Sequence, residues 1–164
     1  MSTEATRTKN TKRAPILTGF TLVEVLISLL ILAIISVVGL NSFSGVNTRK
    51  ALDLEAEKVI SLIAKARALT LSAKSDAPYG VHFEERTAVL FKGQSYSSGA
   101  LTNQGQPFND VVKLSSTALV GGGAEVLFAR LTGATAQSGT VTLAAVQDAS
   151  KTRVITIAAT GIAY

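Results

Sequence analysis

Residues 20–40 read FTLVEVLISLLILAIISVVGL, and this apolar run decides how the rest of the chain is interpreted. As a helix with about 1.5 Å of rise per residue it would be about 31 Å long. The hydrocarbon core of a bilayer is about 30 Å thick. The run contains a single charged residue, Glu24. Its length and composition therefore predict a membrane-spanning helix.

The segments on either side of the run differ in charge. Residues 1–19 are polar and basic, which predicts an unstructured leader. Basic residues near a membrane helix favour the cytoplasmic side. The leader therefore predicts a cytoplasmic N-terminus, because four basic residues precede the run and two follow it: Arg7, Lys9, Lys12 and Arg13 against Arg49 and Lys50.

Composition excludes several classes of protein. There is no cysteine, which excludes a disulfide framework and thiolate metal sites. The formal net charge is +5, but the leader holds three of these five charges. A nucleic-acid-binding protein would carry clustered basic residues on its folded domain. The remaining basic residues are scattered singly, so nucleic acid is not an expected partner.

The chain after the run divides into a helical and a β-rich part. Apolar residues at three- and four-residue spacing predict an amphipathic helix within residues 41–77. Short β-prone runs predict an antiparallel sheet domain over residues 78–164. The predicted fold is thus α+β, with a long N-terminal membrane-spanning helix continuing into an amphipathic helix packed on a sheet. The β-prone runs cover residues 79–83, 87–91, 111–114, 125–128, 140–146 and 153–158.

Gly19 and Phe20 precede the apolar run as a small-residue, cleavage-like dipeptide. A secretory signal places its cleavage site after the apolar core, whereas cleavage here would retain the helix. Cutting after Gly19 would create an α-amino group on Phe20, with a usual pKa of about 8. Acids inside a membrane helix are functional candidates that need a partner. Glu24 is therefore predicted to pair with the Phe20 amine of a neighbouring subunit.

The stretch TGFTLVEVLISLLILAII, residues 18–35, resembles the N-terminal signature of type IV prepilins and type II secretion pseudopilins. This resemblance implies a pilin-like fold. It also implies that a prepilin peptidase cleaves after Gly19 and methylates the amine of Phe20. Glu24 then matches the helix acid that the family uses in assembly.

Three downstream stretches resemble the sheet region of the GspH/FimT group of minor pilins and pseudopilins: YGVHFEERTAVLFKG, FARLTGATAQSGTVTLAAV and TRVITIAATGIAY. The resemblance implies a minor pseudopilin of a type II secretion system. The alternative is a type IV minor pilin in pilus assembly, adhesion or DNA uptake. Some relatives involved in DNA uptake carry a basic C-terminal tail, whereas this chain has no Arg or Lys after Arg153.

The same resemblance implies partners and a location. The partners would be the prepilin peptidase, major and minor pilins or pseudopilins, the inner-membrane assembly platform and membrane lipid. The protein would be a single-pass protein of the bacterial inner membrane. Its C-terminal domain would be periplasmic, and the chain would enter a pilus or pseudopilus.

No residue set predicts an enzyme, a cofactor or a metal site. His82 is the single histidine and lies in an alternating strand, as a surface histidine would. Glu84 and Glu85 are neighbours in a predicted hairpin turn, where adjacent acids point apart. Residues 121–123 are three glycines without the lysine and helix of a phosphate-binding loop, and they predict a turn.

Overall fold

The computed structural model describes residues 19–72 and 76–164, and it describes the side chains of all of them except 37–46. Residues 1–18, which make up almost all of the predicted leader, lie outside this part. The chain divides into two units, Met1–Asn41 and Ser42–Tyr164, which we describe separately. In chain order the elements are α1 (Leu22–Leu71), β1 (Tyr79–Phe83), β2 (Thr87–Lys92), β3 (Gln104–Pro107), β4 (Val112–Leu119), β5 (Glu125–Leu127), β6 (Gly139–Ala145) and β7 (Thr152–Ile157).

The strands form two antiparallel sheets. The first sheet has the order β3-β2-β1-β5 and the second has the order β4-β6-β7. The turn at residues 84–86 joins β1 to β2 and the glycines at 121–123 separate β4 from β5, so both turn predictions are confirmed. The strand β3 was not predicted, because residues 104–107 lie outside the six β-prone runs of the sequence.

One core joins α1 to both sheets within the unit Ser42–Tyr164. The helix contributes buried residues at three- and four-residue spacing, as expected for an element that covers a sheet with one face. Alternate residues of β1, β6 and β7 pack against these helix residues from the two sheets. The helix contributes Leu52, Ala56, Val59, Leu62, Ile63 and Ala66, and the sheets contribute residues such as Val81, Phe83, Val141, Leu143, Ile155 and Ile157.

The predicted membrane-spanning helix over residues 20–40 is wrong. Within the residues that the structure describes, no helix is long and apolar enough to cross a bilayer. The helix α1 also carries charged side chains from Arg49 to Arg67. The α+β class stands, and no membrane-spanning element is found among the described residues.

Candidate assembly site

The first turn of α1 and the three residues before it contain every residue that the sequence assigned a role in processing or assembly. Gly19 lies in open surroundings, with no heavy atom within 4 Å of where a side chain would begin. Phe20 is 81% exposed, and the helix begins two residues later, at Leu22. The peptide bond between Gly19 and Phe20 therefore lies outside the helix, on an accessible backbone.

Thr21 caps the helix, which the sequence analysis did not predict. The backbone N–H of Glu24 donates to Thr21 Oγ1 at 3.2 Å, and that of Val25 donates to the Thr21 carbonyl at 3.2 Å. The first backbone N–H groups of a helix have no partner inside it, and a threonine at the N-cap position satisfies one of them. Threonine followed by glutamate three residues later is the spacing of a capping box, and this signal was present in the sequence.

Glu24 is held in the first turn, where its backbone has a defined position. Its N–H is bonded to Thr21, and its carbonyl accepts a hydrogen bond from Ser28 Oγ at 2.7 Å. An acid in the first turn interacts favourably with the helix dipole, by about 0.3–1 kcal/mol at an exposed site. Among the described residues, no basic side chain forms an ion pair with Glu24.

The side chains of residues 22–35 are apolar nearly all round the helix, and within the described residues they are exposed. An amphipathic surface helix exposes only its polar side, whereas a helix that is apolar on every side is normally buried. Large contiguous apolar surfaces of this kind mark sites of association. The exposed apolar residues of this segment are Leu22, Val23, Val25, Leu26, Ile27, Leu29, Leu30, Ile31, Leu32, Ile34 and Ile35.

His82 and Glu84 belong to a small structural cluster around Tyr96. The rings of His82 and Tyr96 are stacked, with centroids 3.9 Å apart and planes at 9°. The Tyr96 hydroxyl donates to Glu84 Oε1 at 2.8 Å, and its backbone N–H donates to Glu125 Oε2 at 3.2 Å. The hydrogen bond to Glu84 raises the pKa of Tyr96, and desolvation raises it further. These contacts hold the β2–β3 connection against β1.

The cluster does not have the geometry of a catalytic site. His82 Nδ1 is buried and makes no hydrogen bond to any of the described residues, because its distance of 3.9 Å to Glu125 Oε2 is too long. Glu85 is exposed and takes no part. In the described part of the chain, no group of three potential ligands could hold a metal ion.

No protein-family model, curated protein or solved structure matches this chain. Three features of the chain carry functional information: the geometry of the first turn, the exposed apolar side chains of residues 22–35 and the resemblance of residues 18–35.

Proposed function

We propose that this chain is a structural subunit of a filament, processed at Gly19, and specifically a minor pseudopilin of a type II secretion system. The observation that carries the proposal is the uncovered apolar surface of residues 22–35, with one acid in its first turn. Other subunits of the filament would cover this surface with their own N-terminal helices. The domain Ser42–Tyr164 would then be carried along the filament by α1.

Packing of apolar helices supplies the association energy but little specificity. Full burial of one leucine or isoleucine side chain is worth about 1.5–3 kcal/mol. Many of these side chains are about 50–60% exposed, so a large area remains to be buried. Apolar contact is not directional, so it does not by itself fix the register of one helix against the next. A polar pair inside an apolar interface can fix this register.

Glu24 and the amine of Phe20 would supply that pair. Prepilin peptidase would cut after Gly19, leave a positive amine on Phe20 and methylate it. Two unit charges about 4 Å apart attract each other by about 4 kcal/mol at an effective dielectric constant near 20. Glu24 of one subunit would neutralise the amine of its neighbour, and the capped first turn would present the carboxylate in a fixed position.

Processing is tested by intact mass spectrometry of the full-length chain expressed with and without a prepilin peptidase. We expect the peptidase to reduce the mass to that of a chain that begins at Phe20 and carries one added methyl group. Gly19→Leu should stay uncut, because a bulky side chain replaces the small residue before the scissile bond. An unchanged mass of the wild-type chain would contradict the proposal at its first step.

The same N-terminal features fit a type IV minor pilin in pilus assembly, adhesion or DNA uptake. Deletion of the gene separates the two functions when secreted proteins, surface pili and transformation are compared in one strain. We expect lost secretion with normal pili. Lost pili or lost transformation with normal secretion would assign the chain to the type IV pilins instead.

A further inference from the structure

Residues 93–103, which connect β2 to β3 and which we call the strap, lie against the outer face of the first sheet. The neighbours of His82 in β1 point into the core, so His82 points to the opposite, outer face. Phe91 of β2 pairs with Gly80 and therefore lies on this outer face as well. It is nevertheless only 1% exposed. Its ring meets that of Tyr96 edge-on, with centroids 5.9 Å apart, so the strap covers an apolar surface outside the main core.

Tyr96 attaches the strap to the sheet through three further contacts. Its ring stacks on that of His82, with centroids 3.9 Å apart. Its hydroxyl donates to Glu84 Oε1 at 2.8 Å, and its backbone N–H donates to Glu125 Oε2 at 3.2 Å. Because the hydrogen bond to Glu84 raises the pKa of Tyr96 above its usual value, the hydroxyl keeps the proton that it donates at neutral pH.

The groups that face His82 attract a positive charge. The strand β5 places Glu125 opposite His82, and the turn after β1 contributes Glu84, whereas β2 places the apolar Val89 opposite it and the strap contributes the neutral Tyr96. Among the described residues, neither carboxylate forms an ion pair with a lysine or an arginine. A positive imidazole ring would be attracted by the Glu125 carboxylate, 3.9 Å from Nδ1, and by the face of the Tyr96 ring.

These attractions are stronger when the strap is closed than when it is open. Opening removes the Tyr96 ring from His82 and releases the Glu125 carboxylate from the Tyr96 N–H. It also admits water, which screens the attraction between the remaining charges. A proton on His82 therefore stabilises the closed strap relative to the open one, and by linkage the closed strap holds that proton better.

We propose that His82 is a proton-sensitive latch that holds residues 93–103 closed over the outer face of the first sheet. Histidine is the side chain that normally changes charge between about pH 5 and 8. The stabilisation is present at the acidic end of this range and is lost as the pH rises through it. The latch thus controls how often the apolar surface around Phe91 is uncovered. It belongs to the unit Ser42–Tyr164 alone and does not depend on the proposed assembly through Glu24.

The test measures how often the strap opens, as the rate at which chymotrypsin cuts the full-length chain after Tyr96. Mass spectrometry identifies this cut. At each pH the rate is divided by the rate on a synthetic peptide of residues 92–104, which corrects for the pH dependence of the protease. Cleavage follows the population of the open form when reclosing is fast. We expect the corrected rate of the wild type to be about threefold or more higher at pH 8 than at pH 5.5.

Three variants identify the groups that form the latch. His82→Phe keeps a ring for stacking but cannot be protonated, so it should abolish the pH dependence. Glu125→Gln keeps an acceptor for the Tyr96 N–H but removes the charge, so it should at least halve the pH dependence. Glu85→Gln removes an exposed charge from the turn beside Glu84 and should leave the pH dependence as in the wild type.

A second measurement connects the opening of the strap to the protonation of His82 itself. His82 is the single histidine of the chain, so its ring gives the only imidazole signals in the NMR spectrum. The change in corrected cleavage rate should have the same midpoint as the change in these signals. Equal corrected rates of the wild type at the two pH values, pH dependence retained in His82→Phe, or two different midpoints would each overturn the proposal.

Discussion

Replacing Glu24 with glutamine is expected to reduce incorporation of this chain into its filament about tenfold or more. Glutamine keeps the size of the side chain but removes the charge that would neutralise the Phe20 amine of the neighbouring subunit. The lost attraction is about 4 kcal/mol at 4 Å and an effective dielectric constant near 20. The lower cost of burying a neutral side chain offsets part of it. Incorporation is measured as the fraction of an epitope-tagged chain in sheared, sedimented filaments.

Two variants control this experiment. Ser36→Ala removes the same kind of hydrogen bond, from Ser36 Oγ to the Leu32 carbonyl, just beyond the apolar surface of residues 22–35 and should assemble as the wild type does. Glu24→Asp keeps the charge on a shorter side chain and should give an intermediate level. Mass spectrometry should show that Glu24→Gln is still cut after Gly19, which separates assembly from processing. If Glu24→Gln is incorporated as well as the wild type, the charge pair is not required for assembly.

Replacing Gly139 with alanine is expected to lower the free energy of unfolding by about 3 kcal/mol or more. Gly139 opens β6, the central strand of the second sheet, and has a φ of +153°. A Cβ atom there would overlap the Ala118 carbonyl oxygen of the adjacent strand β4. Backbone atoms of a paired strand cannot move aside without breaking the ladder. The change is measured by urea unfolding followed by circular dichroism.

Gly105→Ala is the matched control, because Gly105 also lies in a strand. A Cβ atom there would meet the Thr87 side chain at 3.5 Å, which is an ordinary contact. Alanine also restricts the unfolded chain more than glycine does, so stability should stay equal or rise by about 0.4–1 kcal/mol. Equal destabilisation of both variants would show that overlap with the Ala118 carbonyl oxygen is not what makes Gly139 necessary.

Local patterns predicted the β-domain well where β-prone apolar residues form a short run. The runs at 79–83 and 87–91 became β1 and β2 with nearly the same bounds, because valine, phenylalanine and leucine there both favour strands and form the core. The strand β3 reads QGQP, which carries no β-forming signal. It is a strand because β2 offers it a partner, with Ala88 opposite Gln106. Pairing between distant residues of this kind has no local signature.

The sequence predicted some features of the N-terminal segment and missed others. Gly19, Phe20 and Glu24 are brought together at the exposed start of α1, but the membrane span was wrong within the described residues. Thr21 was missed although its spacing to Glu24 is a known capping signal. The stacking of His82 on Tyr96 joins a strand to a loop and was not visible in any periodic pattern.

The order in which the chain visits the two sheets affects how the domain folds. Strands β1 to β3 enter the first sheet, β4 enters the second, β5 returns to the first, and β6 and β7 complete the second. Neither sheet is a continuous stretch of chain, so neither can be completed as a separate folding unit. If β5 leaves the first sheet, the segment that connects it directly to β4 in the second sheet is freed as well. The interleaved order therefore couples the sheets into a single cooperative transition, in which partly folded forms with one intact sheet are scarce.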